Sequence, residues 1–476
     1  MMGRVYKVTE GAPEWPAAGS AIVYPALILV ATLGSVWLAS SGRVSYDGVL
    51  MLGLALVVAG TGLWCLSVQP ALGLAAMVVA GLLVPFQVGT GTRTTLNFSF
   101  LVAAGLTVIS LLRMAGRRGK EARLKSPALL PLALLLGVTV LAFLAGQFPW
   151  FAVPGAPLAA QLGGLGIIVV SGGVFWVSAR NFQDLRWLKR TTALFMAVSA
   201  FYVVLNLFPG LPSLMAPTEG ALGSLFWTWL ISLSFAQAVM NREGHTGQRA
   251  AAGALVLAVL YLTVVERHDW ASGWLPGCVA IVVILALRMP FLTAALVCIG
   301  GLVGAATFGS WSYLLWTPDQ QYSLMTRMEA GKVLTEIIQK NPLLGLGPAN
   351  YYHYTPVYSI LGWHVNFSSH NNYLDMVLQT GLLGLGSLLW LFAALGRIGL
   401  RLRRIAPEGF PRAYVYGSIG GLAGTLCAGA LGDWVLPFVY NVGLKGFPAS
   451  ALGWLFLGGL VAIEQVCDRT SGPEAH

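Results

Sequence analysis

Residues 127–145 read Pro-Ala-Leu-Leu-Pro-Leu-Ala-Leu-Leu-Leu-Gly-Val-Thr-Val-Leu-Ala-Phe-Leu-Ala, without a charge. As an α-helix at about 1.5 Å per residue, such a run reaches across most of a hydrocarbon layer of about 30 Å. It is apolar all round, which suits lipid and not the surface of a soluble fold. Just before it, residues 113–125 hold Arg113, Arg117, Arg118, Lys120, Arg123 and Lys125. Basic loops of this kind stay on the cytoplasmic side. One apolar span beside one basic loop therefore points to both the fold class and the topology.

Outward from this stretch the pattern recurs. Spans are predicted at 21–39, 49–66, 70–88, 96–112, 127–145, 160–178, 191–208, 219–240, 250–266, 273–288, 290–312, 372–396, 413–431 and 446–464. The tight pairs 49–66 with 70–88, and 273–288 with 290–312, each leave room for a re-entrant segment. The expectation is an all-α polytopic membrane protein of 12 to 14 transmembrane helices. Composition agrees: 57% apolar and 10% charged residues, against about 25% charged in soluble domains, with mean hydropathy +0.74. The 58 glycines suit helices packing closely in lipid.

With the N-terminus in the cytoplasm, 21 of the 28 Lys and Arg fall in inside segments and 7 outside. The net charge of +10 is thus a topology signal. No basic tract is interleaved with aromatics, so nucleic acid is not an expected partner. The five cysteines form no CxxC, which argues against a disulfide framework or a zinc site. The segment before residue 21 leads into a span too long for a cleavable signal peptide. Three regions are expected: a bundle of about eleven spans over 1–312, a long outer loop over 313–371, and C-terminal helices with a short cytoplasmic tail over 372–476.

The outer loop is long and rich in aromatics, a composition that speaks for order and function. A helix is predicted over about 321–340, with Ala330, Val333, Leu334, Ile337 and Ile338 as its apolar stripe and a Glu336–Lys340 pair opposite. Arg327 lies on that stripe, where it either snorkels at the membrane surface or meets an anion. Next comes Asn341-Pro342-Leu343-Leu344-Gly345-Leu346-Gly347-Pro348. Gly345 and Gly347 mark either a plain turn or a close approach of backbone to a ligand. The stretch Ser368-Ser369-His370-Asn371-Asn372-Tyr373 enters the span 372–396. Ser368 or Ser369 is the expected N-cap, which would put His370 in the first helical turn, neutral beside the positive helix end. Such a His serves as an interfacial anchor or as a general base. Arg267, after the span 250–266, either pairs with Glu266 or Asp269 or binds an anion such as a diphosphate. Arg93 is a third outer arginine. No HExxH, P-loop or nucleophile elbow occurs, and the outer acids form no pair suited to a divalent metal, so metal-independent chemistry without a cofactor is expected.

Arg327 with its helix, Asn341-Pro342-Leu343-Leu344-Gly345-Leu346-Gly347, His370-Asn371-Asn372-Tyr373-Leu374 and Gly381-Leu382-Leu383-Gly384-Leu385 together resemble the hallmark region of the O-antigen ligase and O-antigen polymerase family. The chain departs from that pattern at Gly331, where a Trp is common, and at Glu266, where a Ser is common. The resemblance implies a GT-C-like membrane glycosyltransferase of the bacterial inner membrane, with its site on the periplasmic face and both termini cytoplasmic. It implies undecaprenyl-diphosphate-linked glycan as donor, and lipid A–core or a second lipid-linked glycan as acceptor. Arg267, Arg327 and Arg93 would hold the diphosphate, His370 would act as base, and Asn371, Tyr373, Gly345 and Gly347 would position substrate. Displacement would invert the anomeric centre. The size leans toward a polymerase. A transporter is the alternative, but the spans hold almost no ionisable residue at mid-depth, where coupling sites lie.

Overall fold

The computed structural model describes residues 69–84, 87–89, 95–116, 124–208, 219–315 and 318–470. The predicted spans 21–39 and 49–66, and Arg93, lie outside the described residues. The chain divides into two units, Met1–Gly73 and Leu74–His476, and the second holds nearly everything described.

Each of the other twelve predicted spans contains a helix. In chain order these are α1 (Pro70–Leu83), α2 (Phe98–Gly116), α3 (Leu129–Ala145), α4 (Leu158–Asn181), α5 (Leu185–Leu207), α6 (Ser224–Met240), α7 (Thr246–Leu260), α8 (Ala271–Arg288) and α9 (Pro290–Leu315). The segment 313–371 supplies α10 (Pro318–Ile338), and the chain continues with α11 (Asn372–Ile405), α12 (Phe410–Leu431) and α13 (Phe447–Thr470). Nine described helices are long and apolar enough to cross a membrane, while α1, α3 and α6 are shorter apolar helices. The chain is an all-α polytopic membrane protein. A small antiparallel ribbon, Gln87–Gly89 with Thr95–Asn97, is a departure from helix that the hydropathy profile did not suggest.

The last helix is the central one. The apolar window of α13 is entirely buried, whereas that of α9 is only 6% buried and turns outward. α13 packs against α4, and α12 packs on α6 and α8. Gly458 permits the first contact, because a Cβ there would stand 3.2 Å from the backbone nitrogen of Ala179. Lipid tails offer no hydrophobic drive for helix association, so such close backbone approach is what holds helices together. Aromatic side chains fill the centre: Phe195, Phe226, Trp227, Trp229 and Phe456 are all fully buried.

α11 is not one helix. Gly381 adopts φ 67°, ψ −172°, a conformation open essentially to glycine alone, and breaks it in two. The loop 341–347 repairs the broken ladder. Leu346 N–H donates to Leu378 O (2.8 Å) and Gly347 N–H to Gln379 O (3.0 Å). In return Leu382 N–H donates to Pro342 O (2.8 Å) and Leu383 N–H to Leu343 O (3.2 Å). Non-helical backbone near a bilayer persists only where protein satisfies it, and here one loop does so on both sides of the break. The predicted span 372–396 lies within Asn372–Ile405, which the Gly381 break divides into this stapled pair.

Candidate functional site

His370 sits where the segment 313–371 enters α11. The N-cap of α11 is Asn371, whose Oδ1 accepts from Tyr373 N–H (2.9 Å) and Leu374 N–H (3.2 Å). The expected cap at Ser368 or Ser369 is therefore corrected, and His370 precedes the cap instead of lying in the first turn. Ser369 is drawn elsewhere: its hydroxyl lies 2.7 Å from Asp375 Oδ1 and accepts from Asn371 N–H. The fully buried Tyr351 donates to the same carboxylate oxygen (2.6 Å) and accepts from Ser369 N–H. His370 takes up what remains of the turn, at φ 49° with its ring exposed. Left-handed backbone is uncommon outside glycine, with His among the residues that tolerate it best.

The segment after α12 closes on this turn. Asn372, buried, donates to Leu436 O (2.8 Å) and accepts from Val435 N–H (2.7 Å). That pairing sets Asn441 Nδ2 3.0 Å from His370 Nδ1 and 2.6 Å from Asp433 Oδ1. Asp433 is 1% exposed, and its Oδ2 accepts from Phe438 N–H (2.8 Å). Burial pushes the Asp433 carboxyl above the usual carboxylate range, against those hydrogen bonds.

The Asn441 amide has two ways of bridging its neighbours. With Asp433 ionised, the NH2 group donates to both sides, and the ring proton of a neutral His370 must sit on Nε2. With Asp433 protonated, the amide turned over accepts from both, and Nε2 is left as a free lone pair. The second form is what a general base requires, and burial of Asp433 favours it.

Arg267 follows a π-helical turn, Tyr261–Glu266, that ends α7. Its guanidinium donates to Asn206 Oδ1 (3.1 Å) at the end of α5 and lies 5.9 Å from the ring centroid of Trp227. Among the described residues it pairs with neither Glu266 nor Asp269, because Tyr261 donates to Glu266 (2.7 Å). Trp270, three residues on, meets Trp434 edge to face at 6.0 Å and ties the Arg267 turn to the Asp433 segment. Arg267 and His370 are thus carried on touching segments.

Arg327 falls on α10, but its side chain lies outside the described residues. The helix itself docks through Val333, Leu334 and Ile337 into a cluster with Leu346, Tyr351, Leu378 and Phe438, which matches the predicted stripe. Lys340 lies over the Phe151 ring at 5.8 Å, not against Glu336. Gly345 and Gly347, at φ 69° and 86°, approach protein: a Cβ on Gly345 would stand 2.6 Å from the backbone of Thr380, and one on Gly347 2.7 Å from Gly146. They shape the staple across the Gly381 break. Tyr373 donates to Leu426 O (2.6 Å), so its hydroxyl ties α11 to α12.

Tyr351 and Tyr354 belong to the core, whereas Trp363 is 70% exposed. Tyr352 and Tyr440 stack at 4.6 Å beside Asn441. Asp433, Asn441, Asp375 and Tyr351 did not stand out in the sequence. Asp375 read as an acid at a span end and Asp433 as a scattered acid in a connection, and folding buries both near His370.

Residues 244–389 match the family model described as O-Antigen ligase. The segment belongs to the O-antigen ligase family. It takes in Arg267, Arg327, the staple loop, His370 and the Gly381 break. The O-antigen ligase segment does not reach Asn206, Trp227, Asp433 or Asn441, which hold its Arg267 and His370 in place. No curated protein matches the chain. An activity of the O-antigen ligase or polymerase type goes with this family, and with it lipid-linked glycan substrates.

Proposed function

We propose that the chain is an inverting glycosyltransferase that moves a glycan from undecaprenyl diphosphate to an acceptor hydroxyl at the periplasmic face of the inner membrane. The observation that carries this reading is His370, exposed in a strained turn and buttressed through Asn441 by a buried carboxyl. His370 Nε2 takes the acceptor proton as the acceptor oxygen bonds the anomeric carbon. The bond from that carbon to the diphosphate breaks, and the electron pair leaves with the diphosphate. Arg267, spread on Trp227 and pinned by Asn206, holds the diphosphate with Arg327 and offsets its growing charge. Arg93 is a further candidate on the same anion, and Asn371, Tyr373, Gly345 and Gly347 act by fixing the turn and the staple around it. The acceptor is either a second lipid-linked glycan or lipid A–core.

Purified protein in nanodiscs, given undecaprenyl-diphosphate glycan in EDTA with and without lipid A–core, tests the reading. Lengthening without lipid A–core marks a polymerase, and transfer to lipid A–core a ligase. His370→Ala is expected to abolish either. Transfer undiminished in His370→Ala removes the assigned base, and transfer lost in EDTA removes the arginine-only role in charge neutralisation.

A further inference from the structure

Far from His370, α5, α6 and α7 leave an open cavity of about 400 Å³ between their ends, with Phe410 at its edge. Its volume falls in the range of small-molecule sites. The cavity exists because its walls are small. Ala193, Ala197 and Ala200 recur on one face of α5, Ala252 faces them from α7, and Leu255 lines the deeper wall. Lys189 stands one turn before Ala193 on that face, and Arg249 stands at the start of α7. The groove is cationic at one end and apolar along its length, and no acid lines it.

Three details point to an anionic amphiphile. Gln237 lines the cavity at 8% exposure, and while its Oε1 accepts from Asn241 (2.9 Å), its Nε2 has no partner. Arg249 is anchored by Nε to Ala238 O (3.1 Å), which leaves its terminal nitrogens without a described partner. Phe201 and Leu257, farther along the two helices, are 55% and 70% exposed, as side chains facing lipid would be. Basic pockets between membrane helices recognise anionic headgroups in this way.

We infer that this groove binds an anionic phospholipid of the bilayer. The headgroup phosphate meets Lys189 and Arg249, a headgroup oxygen meets Gln237 Nε2, and an acyl chain runs along the alanine wall. The same two helices carry Asn206 and Arg267 at their opposite ends, so a lipid wedged here joins the helices that hold the arginine.

The test is native mass spectrometry and thermal unfolding of the full chain in detergent, with phosphatidylglycerol, phosphatidylcholine or undecaprenyl phosphate added. Phosphatidylglycerol is expected to be retained and to raise Tm, and phosphatidylcholine to do neither. Each cation near the surface contributes on the order of a fivefold factor, so Lys189→Gln with Arg249→Gln should weaken retention about thirtyfold. Ala197→Leu, which fills the groove without touching the charges, should also displace the lipid. Equal retention of the two phospholipids, or undiminished retention by Ala197→Leu of unaltered circular dichroism, overturns the inference. Preferential retention of undecaprenyl phosphate overturns the assignment to phospholipid.

Discussion

Gly381→Ala strikes the break on which the staple loop and α11 depend. An alanine at φ 67°, ψ −172° carries about 1–3 kcal/mol of backbone strain. Its Cβ would also stand 2.5 Å from Leu344 N and closer still to the Leu343 carbonyl, all backbone atoms that cannot swing away. Relief requires the loop to withdraw and give up some of its four hydrogen bonds across the break, each contributing about 1 kcal/mol. The sum is about 3–6 kcal/mol. At about 2.1 cal/mol/K of unfolding entropy per residue, that lowers Tm of a chain of 476 residues by about 3–6 °C. Gly386→Ala is the control, since Gly386 lies in the same helix with nothing within 4 Å of its Cβ position; it should stay within about 1 kcal/mol of wild type. Thermal unfolding of both variants in detergent, followed by tryptophan fluorescence, reads the difference, and glycan transfer should fall with Gly381→Ala alone. If Gly381→Ala unfolds with Gly386→Ala, the break is not a structural element and the staple reasoning fails.

Asp433 links stability and activity to pH. Its folded pKa is raised above the ordinary 3.8, so the unfolded chain releases its proton first, and stability should decline as pH rises from about 4 until the folded carboxyl also ionises. Asp433→Asn should flatten that decline and, as a permanent donor to the Asn441 amide, extend transfer activity to higher pH; an unchanged pH–rate profile would sever Asp433 from His370. Arg267→Lys keeps the charge but loses the planar guanidinium that donates to Asn206 and lies over Trp227, so transfer should drop about tenfold, read as kcat/KM with nanodisc substrate. Asn350→Ala leaves Ala156 N–H, Gly146 O and Leu346 O without their buried partner and should lower stability by about 2–4 kcal/mol, measured by the same unfolding assay.

The sequence by itself determined the membrane class, the positions of the described membrane helices and the residues that match the O-antigen ligase family. Hydropathy and basic flanks are sums over neighbouring residues, so Pro127–Ala145 and its basic approach announce a span without knowledge of anything distant. His370 and Arg267 were legible as candidates for the same reason, because each is a polar residue at the edge of an apolar run. What those residues touch was not legible. Glu266 and Asp269 read as local partners of Arg267, yet Glu266 accepts from Tyr261 and Arg267 donates to Asn206, sixty-one residues away. The motif glycines Gly345 and Gly381 read as turn and helix, and only folding shows that each leaves room for the other's backbone. Asp433 and Asn441 lie more than sixty residues from His370, in a segment whose course is set by buried hydrogen bonds to Asn372. Contacts between stretches that far apart depend on how helices pack, which no local window contains, and so the tertiary structure alone decided the hydrogen-bonded setting of His370.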